Sequence, residues 1–365
     1  MGLKDQNRHW NLPAAYLKVF FQHAASEQLP VELLLAGTLL SVDELMHSTK
    51  LVRFLDIRRV IANVTRLQEP GWHLSLGQRL TVPSHGPLGF AVVTARNLRA
   101  SVDVLLRFLG IRAPYLWLAG AVEDERYVIR LYESVDMGEQ RQVLMELALL
   151  SIQNLLERPL GRELREARIS FACSPPSYAE QLGLAFHPAL EFDASGHEIS
   201  FPTAWLNEPC ALHDEAMHRY LVMRCEEELR AVSGILPAEI AVRQDLLARP
   251  GKPPSLAQIA ADQNVSPRTL IRRLKLGNTS YNAILEDVRK TLADDYLLRS
   301  DLSVTRIGYR LGYQDPSNFG RAFRGWFGTS PGRYRDRHRA SGWARDGANS
   351  DQAQPSKPSD AILAS

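Results

Sequence analysis

The segment Ile307–Arg335 reads IGYRLGYQDPSNFGRAFRGWFGTSPGRYR and interleaves five arginines with aromatic residues. Asp315 followed by Pro316 predicts the start of a helix, because Asp accepts hydrogen bonds from the first backbone N–H groups and Pro suits the first helical position. Phe319 and Phe323 are four residues apart, so they lie on one face of that helix and predict a small core. The outer face is left with Ser317, Gly320, Arg321 and Arg324.

The same plan occurs upstream, in the segment SLAQIAADQNVSPRTLIRRL. Ser255 and Gln258 have the spacing of a capping box, which predicts the start of a first helix. Asn264 predicts its end, because Asn accepts left-handed backbone. Ser266 and Pro267 then predict the start of a second helix. The outer face of this second helix carries Arg268, Ile271, Arg272 and Lys275.

The two segments match position by position. Ile307 matches Ile259 at an offset of 48 residues, and Phe319 matches Leu270 at an offset of 49, because one extra residue enters the second turn. Two short helices with a tight turn and a basic second helix are typical of a helix-turn-helix. The sequence therefore predicts two such units, each with its own recognition helix.

Between the two units, Tyr281–Arg299 has the apolar spacing of one amphipathic helix. At 1.5 Å per residue such a helix spans about 28 Å. Successive major grooves on one face of B-DNA are roughly 34 Å apart. The connector therefore predicts that one chain reads two adjacent major-groove segments.

Basic residues are concentrated in this C-terminal region. Residues 251–345 hold 17 Lys and Arg against 8 Asp and Glu, whereas residues 1–250 hold 25 against 30. The net charge of the whole chain, +2, conceals this contrast. A basic module joined to a mildly acidic one predicts that only the C-terminal part faces a polyanion.

Other classes of site and compartment have little support in the sequence. Cys173, Cys210 and Cys225 lie far apart without a CxxC motif, which favours a reducing cytoplasm and argues against a zinc site. The histidines lack HExxH spacing, so we predict no metal and no cofactor. The apolar stretch at residues 33–42 is about half the length of a bilayer span, so we predict a buried helix there and no membrane contact.

The first part of the chain mixes helical and strand patterns. Residues 14–67 have helical periodicity, and a long helix is predicted across EQRQVLMELALLSIQNLLE. Residues 115–134 predict two strands joined at the acidic turn Glu123–Glu125, and residues 189–206 predict a hairpin. The predicted fold class is an α+β N-terminal domain joined to an all-α C-terminal domain with two helix-turn-helix units.

The predicted domains follow from these patterns and from the Pro/Gly-rich segment ARPGKPPS. Residues 1–210 form a mixed α/β regulatory domain, and residues 211–254 form a helical connector and linker. Residues 255–338 form the double helix-turn-helix DNA-binding domain. Residues 339–365 are rich in small and polar residues and are predicted to form a disordered tail.

The segment DLSVTRIGYRLGYQDPSNFGRAFRGWFGTSPGRYR closely resembles the C-terminal signature of AraC/XylS-type transcription regulators, and the likeness covers about residues 236–338. LLLAGTLLSVDEL, LGQRLTVPSHGPLGFAVVTARNLRASVDVLLRFL and ISFPTAWLNEPC resemble the arabinose-binding-type effector domain of one branch of that family. The resemblance implies a DNA-binding regulator, an activator in function, that responds to a small-molecule effector. It also implies double-stranded promoter DNA and RNA polymerase as partners.

In that family the outer faces of both recognition helices meet bases, which carries over to Arg268, Ile271 and Arg272, and to Ser317, Gly320 and Arg321. Ile271 departs from the polar residues frequent at its position and favours contact with a thymine methyl group. Asn264 replaces a common glycine. Arg272 and Arg321 can each read a guanine edge or hold a phosphate, and both interpretations stay open. Arg333 and Arg335 are predicted to lie beyond the last helix, where phosphate contact and solvation both stay open.

Further predictions concern the N-terminal domain and its partners. Phe90, Tyr115 and Trp117 are the aromatic residues predicted for an effector pocket, with an ordinary core as the alternative. The helix at residues 213–232 either pairs with its twin in a homodimer or docks on its own domain. We predict that the chain is not an enzyme. The alternatives are an enzyme domain with a DNA-binding tail, although no nucleophile and base can be named, and an architectural DNA-binding protein without an effector.

Overall fold

The computed structural model describes residues 11–13, 17–41, 51–233, 238–247, 249, 251–299 and 302–346. They form two compact units: the first reaches Arg249 and also includes Pro253–Glu286, and the second starts at Asp287 and includes residues 251–252. The domain boundaries at residues 210 and 255 stay a prediction, because packing alone does not divide the chain by function. Within the described ranges, no helix combines the length and apolar character that a membrane span requires.

The first unit contains the strands β1 (Asn11–Pro13), β2 (Leu51–Arg53), β3 (Leu116–Glu123), β4 (Arg126–Glu133), β5 (Arg168–Ser170), β6 (Ala189–Glu191) and β7 (His197–Pro202). β1 and β2 form an antiparallel pair, and the other five form one sheet in the order β3-β4-β7-β5-β6. The predicted pair at residues 115–134 is confirmed, because β3 and β4 are antiparallel with Leu116 opposite Glu133. Asp124 makes the turn between them with φ of 49°, a conformation that Asp tolerates.

The hairpin predicted at residues 189–206 is wrong, because β6 and β7 do not pair with each other. β5 lies between them, parallel to β6 and antiparallel to β7. After β6, the backbone N–H groups of Asp193 and Ala194 donate to the carbonyls of Cys173 and Phe171. The segment that follows β6 is therefore held by the chain that follows β5, and it cannot close a two-stranded hairpin.

The helices of the first unit are α1 (Leu17–Ser26), α2 (Val31–Leu35), α3 (Phe54–Leu67), α4 (Trp72–Arg79), α5 (Pro87–Val93), α6 (Leu98–Phe108), α7 (Arg141–Leu160), α8 (Ala179–Ala185), α9 (Glu215–Ser233), α10 (Ala238–Leu247), α11 (Leu256–Asp262) and α12 (Pro267–Leu276). α7 is the long predicted helix, and most of its length is buried. Asn97 caps α6, because its side-chain oxygen accepts a hydrogen bond from the backbone N–H of Ala100.

The buried helix predicted at residues 33–42 is also wrong. α2 ends at Leu35, and Gly37 then has a φ of 73°, a left-handed conformation that stops a helix. Leu33 and Leu39 are 48% and 75% exposed. Residue 42 lies outside the described residues.

α4 and α7 approach each other closely at Gly77. A Cβ atom at Gly77 would lie 2.4 Å from Leu150 Cδ1, so the hydrogen of glycine is what lets the two helices meet. Asn154 Nδ2 donates to the carbonyls of Gly77 and Leu80, at 3.1 and 3.2 Å. These bonds give acceptors at the end of α4 a donor from α7, although the Gly77 carbonyl also accepts from the backbone N–H of Leu80.

A polar cluster is buried between the same two helices. His73 Nε2 lies 2.5 Å from Glu146 Oε2, and each side chain is only 1% exposed. The Glu146 carboxylate also accepts hydrogen bonds from the Tyr178 hydroxyl and from Gln142 Nε2. The carboxylate is thus buried with three donors around it, as a buried carboxylate requires.

α9 docks on its own domain. Leu221, Val222 and Leu229 pack against the core, and His218 Nδ1 lies 3.0 Å from the carbonyl of Ala91 in α5. The sequence left two interpretations of this helix open, pairing with a second copy or docking on its own domain. The apolar side chains named here dock on their own domain. The outward side of α9 exposes Met217, Tyr220 and Met223.

α13 (Tyr281–Arg299) begins in the first unit and ends in the second, which also contains α14 (Val304–Arg310), α15 (Pro316–Phe327) and α16 (Pro331–Asp346). The core of the second unit includes Leu292, Tyr296, Ile307, Phe319 and Phe323. The sequence predicts disorder from residue 339, and this is wrong for residues 339–346 because α16 continues to Asp346. That stretch is rich in Arg and Ala, which favour helix. Residues 347–365 lie outside the described residues.

Candidate nucleic-acid interface

The two helix-turn-helix units have the same turn. In the first, Asn264 has φ of 53° and the N–H of Val265 donates to the carbonyl of Ala260 at 2.9 Å. In the second, Gly312 has φ of 77° and the N–H of Tyr313 donates to the carbonyl of Gly308 at 3.0 Å. Both the left-handed residue and the hydrogen bond recur at the predicted offset of 48 residues.

The predicted caps are present in both units. Ser255 and Gln258 form the full capping box at the start of α11, and Ser266 Oγ accepts from the N–H of Thr269 at the start of α12. At the start of α15, Asp315 Oδ1 accepts from the N–H of Ser317 at 2.8 Å. This bond from the backbone lowers the pKa of Asp315, because it stabilises the charged carboxylate.

Replacing Ser255 by alanine is expected to destabilise the first helix-turn-helix unit by about 1 kcal/mol. The reason is that the backbone N–H of Gln258 loses its acceptor, the Ser255 hydroxyl, whereas the N–H of residue 255 can still donate to the Gln258 side chain. Asn at the same position retains a side-chain acceptor, so Ser255→Asn is the matched control. Urea unfolding of the full chain, with hydrogen exchange of the α11 amides, measures the difference. Equal exchange in the two variants would contradict a capping role.

α12 has one buried stripe and one exposed basic face. Leu270 and Leu274 are 0% and 2% exposed and anchor the helix. Ile271 is 43% exposed, although exposure of an apolar side chain to water does not stabilise the fold. The residues predicted for DNA contact, Arg268, Ile271, Arg272 and Lys275, are all exposed.

α15 has the same division. Phe319 and Phe323 are fully buried, while Ser317, Arg321 and Arg324 are exposed and Gly320 is half-buried. Arg321 Nη2 donates to Asn318 Oδ1 at 2.6 Å. Asn318 is therefore an exposed polar residue of this helix that sequence reasoning missed. Its spacing of three residues from Arg321 is the signal that indicates the pair.

Several aromatic and basic residues near these helices support the second unit internally. Phe323 contacts Phe327 with ring centroids 4.5 Å apart, in keeping with a core role for the phenylalanines. The Tyr334 hydroxyl donates to Asp294, and burial together with this bond raises the pKa of Tyr334 to about 12. Arg335 donates to the carbonyls of Leu297 and Leu302 at 3.1 and 2.6 Å. Its guanidinium therefore forms hydrogen bonds inside the second unit. Arg333 is exposed, and it lies on α16 instead of beyond the last helix.

The first unit encloses a small apolar cavity of about 60 Å³ between α1, α3, α6 and α7. Tyr115 lines it and stacks on Phe54, with ring centroids 5.5 Å apart. Phe90 is 43% exposed, and Trp117 stacks on Tyr132; neither of these two residues lines the cavity. Of the three aromatic residues predicted for an effector pocket, the structure therefore brings one to this cavity.

Two family models match the chain. The model of the arabinose-binding domain of AraC transcription regulators matches residues 29–210, and a helix-turn-helix domain model matches residues 259–337. The ornithine utilization regulator of Pseudomonas aeruginosa is 32% identical, over 89% of this chain and 96% of its own length. The chain belongs to the AraC family of transcription regulators. The predicted family, the mixed α/β N-terminal fold and the helix-turn-helix region are thereby confirmed.

Two further proteins resemble this AraC-family regulator along most of its length. The transcriptional regulator VqsM of Pseudomonas aeruginosa is 25% identical, over 72% of this chain and 83% of its own. The crystal structure of the transcriptional regulator CdpR from Pseudomonas aeruginosa covers 88% of this chain and 98% of its own, with 19% identity and a TM-score of 0.45. The relatives found for this AraC-family chain are transcription regulators, in keeping with a non-enzymatic function.

Proposed function

We propose that this AraC-family chain recognises promoter DNA by inserting α12 and α15 into the major groove, and that a small effector bound by the first domain controls this recognition. One observation carries the DNA part: each of these helices buries an apolar stripe and exposes the opposite face. The exposed residues we assign to DNA are Arg268, Ile271, Arg272, Lys275, Ser317, Gly320, Arg321 and Arg324.

The two faces differ in chemistry, and this suggests different readouts. Arg272 lies opposite the buried stripe of α12 and can donate two hydrogen bonds to a guanine edge. Ile271, beside it, presents an apolar surface that suits a thymine methyl group. On α15, Gly320 has open space where a Cβ would stand. That position therefore leaves room for a base or sugar between Ser317 and Arg321.

Arg272→Ala is expected to weaken binding to a selected duplex by about 1–3 kcal/mol, or roughly 5-fold to 150-fold, because a bidentate base contact is lost. The duplex is selected from random sequences by the full chain, and binding is measured by fluorescence anisotropy at fixed salt. Arg273→Ala is the matched control, since Arg273 is exposed on the same helix about 100° around its axis from Arg272.

The outcome separates base contact from phosphate contact. A base contact makes the loss specific to the selected duplex and relaxes the preference at one base pair. An equal loss on a scrambled duplex would assign Arg272 to phosphate, and an unchanged affinity would remove it from the interface. Weak preference in the original selection would favour the architectural alternative.

The remaining parts of the proposal concern regulation. On this proposal the protein is an activator that works in the cytoplasm, where RNA polymerase is its protein partner at the promoter. A homodimer would use the exposed side of α9. The P. aeruginosa relative is named for ornithine utilisation, but the cavity of the present chain is lined mainly by apolar residues. Ornithine, which carries two ammonium groups, is therefore a poor fit to it.

A further inference from the structure

The cavity of the first domain has one cationic end. Its lining is dominated by Leu, Ile and Phe side chains from α1, α3, α6 and α7. Among the described residues that line it none is acidic, and the basic ones are Arg112 and His85. Burial lowers the pKa of His85 to about 4, so the His85 ring is neutral at pH 7. The positive charge at the cavity is therefore that of Arg112.

Arg112 is held in place by three features of the surrounding chain. Its Nε donates to the carbonyl of His85 at 2.9 Å, and its side chain is only 15% exposed. Its Nη2 donates to Glu228 of α9 at 3.1 Å. Gly86 makes room for the guanidinium, because a Cβ there would lie 2.3 Å from Nη2.

The ion pair links the cavity to α9, the helix that leads out of the regulatory domain towards the linker. Glu228 is 31% exposed and comes from outside the cavity, so water already reaches its carboxylate. A ligand carboxylate that entered the cavity would meet the same guanidinium from the inner side. It would compete with Glu228 for the strong charge-assisted hydrogen bonds of Arg112.

We propose that the effector of this protein is a small apolar monocarboxylate, that Arg112 binds its carboxylate, and that binding releases Glu228 and so loosens α9. This proposal rests on the proposed function of the first domain as an effector-binding domain. The apolar lining matches a hydrocarbon chain in polarity, and Arg112 supplies the single charge that the ligand must match.

The cavity is too small to admit a ligand of this class without movement of its side chains. At about 60 Å³ the cavity is well below the roughly 150 Å³ that admits benzene into an engineered protein cavity. A ligand must therefore displace side chains at the cavity to enter. Release of the Arg112–Glu228 ion pair is the displacement that also changes the attachment of α9, and so it couples binding to the connector.

The test uses hexanoate on the full chain, with hexanamide and hexylamine as neutral and cationic probes of matched length. Isothermal calorimetry is expected to give a dissociation constant for hexanoate at least about 10-fold lower than for hexanamide, because only the carboxylate forms an ion pair with Arg112. Hydrogen exchange of the α9 amides is expected to become faster when hexanoate binds. Equal binding of hexanoate and hexanamide, or no binding of hexanoate, overturns the proposal.

Variants at the two ends of the ion pair separate a ligand-binding role from a structural one. Arg112→Gln is expected to weaken hexanoate binding by about 10-fold or more. Glu228→Gln is expected to tighten it by about twofold to fivefold, because the competing carboxylate is gone. A purely structural ion pair would make both variants bind hexanoate more weakly, and that result contradicts the proposal.

Arg107→Gln is the matched control. Arg107 also pairs with α9, through Glu226 at 2.8 Å, but it is 55% exposed and does not line the cavity. Its loss is expected to leave hexanoate binding unchanged. Binding of the selected duplex without any ligand is measured in parallel. If duplex recognition persists while hexanoate fails to bind, this proposal falls and the DNA-binding function stands.

Discussion

Replacing Phe323 by alanine is expected to lower the free energy of unfolding of the second helix-turn-helix unit by about 3–5 kcal/mol. Phe323 is fully buried, and its ring contacts those of Phe319, Phe327 and Tyr334 at centroid distances of 5.8, 4.5 and 5.3 Å. Truncation removes the ring that these three share and leaves a cavity that the surrounding helices cannot fill. Urea unfolding of the full chain, followed by hydrogen exchange of the α15 amides, measures the loss.

Gly325→Ala, two residues further along α15, is the matched control. A Cβ at Gly325 meets no atom within 4 Å, and alanine favours helix over glycine. This variant is expected to be neutral or to stabilise the unit by up to about 1 kcal/mol. If Phe323→Ala costs no more than the roughly 1 kcal/mol typical of a point mutation, the ring cluster is not the core of the unit.

The second large effect is expected at the buried cluster of His73 and Glu146. His73→Leu removes the donor that lies 2.5 Å from the Glu146 carboxylate and leaves that carboxylate buried with fewer donors. Leaving a buried acidic side chain without one of its hydrogen-bond partners costs about 1–3 kcal/mol, and more when the group is charged. Thermal and urea unfolding of the first domain are the measurements.

Combining His73→Leu with Glu146→Met tests the cause of that loss. If the cost comes from the stranded carboxylate, the double variant is expected to recover most of the stability, because apolar replacements of a buried pair are often neutral. The double variant is then much more stable than the sum of the two single losses would give, and this difference is the coupling energy of the double-mutant cycle. Simple additivity of the two losses would instead mean that packing, and not charge, decides the effect.

The helix-turn-helix region is predicted well because its signals are local. Ser255, Gln258, Asn264 and Asp315 act through hydrogen bonds and backbone angles within a few residues of themselves, so their identity already specifies what they do. The strand pair at residues 115–134 is predicted for the same reason, since its two strands are adjacent in the chain. In both places the structure matches the sequence pattern closely.

Features that depend on distant partners are not predicted. The insertion of β5 between β6 and β7 is set by residues about 20 and 30 positions apart, and nothing in the short strands indicates it. Arg335 has the sequence environment of a phosphate-binding residue, yet its partners are carbonyls 38 and 33 residues away. Arg112 carries no motif, because its position at the cavity depends on the packing of α6, α7 and α9.

The contact between Gly77 and Leu150 has a consequence for how this sequence can change over time. A Cβ atom at residue 77 would occupy the space of a Leu150 methyl group. An increase in side-chain volume at residue 77 therefore requires a decrease at residue 150. A larger residue at position 77 is tolerated best when position 150 becomes smaller in the same lineage. The two positions are therefore expected to drift together as a pair of fixed total volume, although 73 residues separate them in the chain.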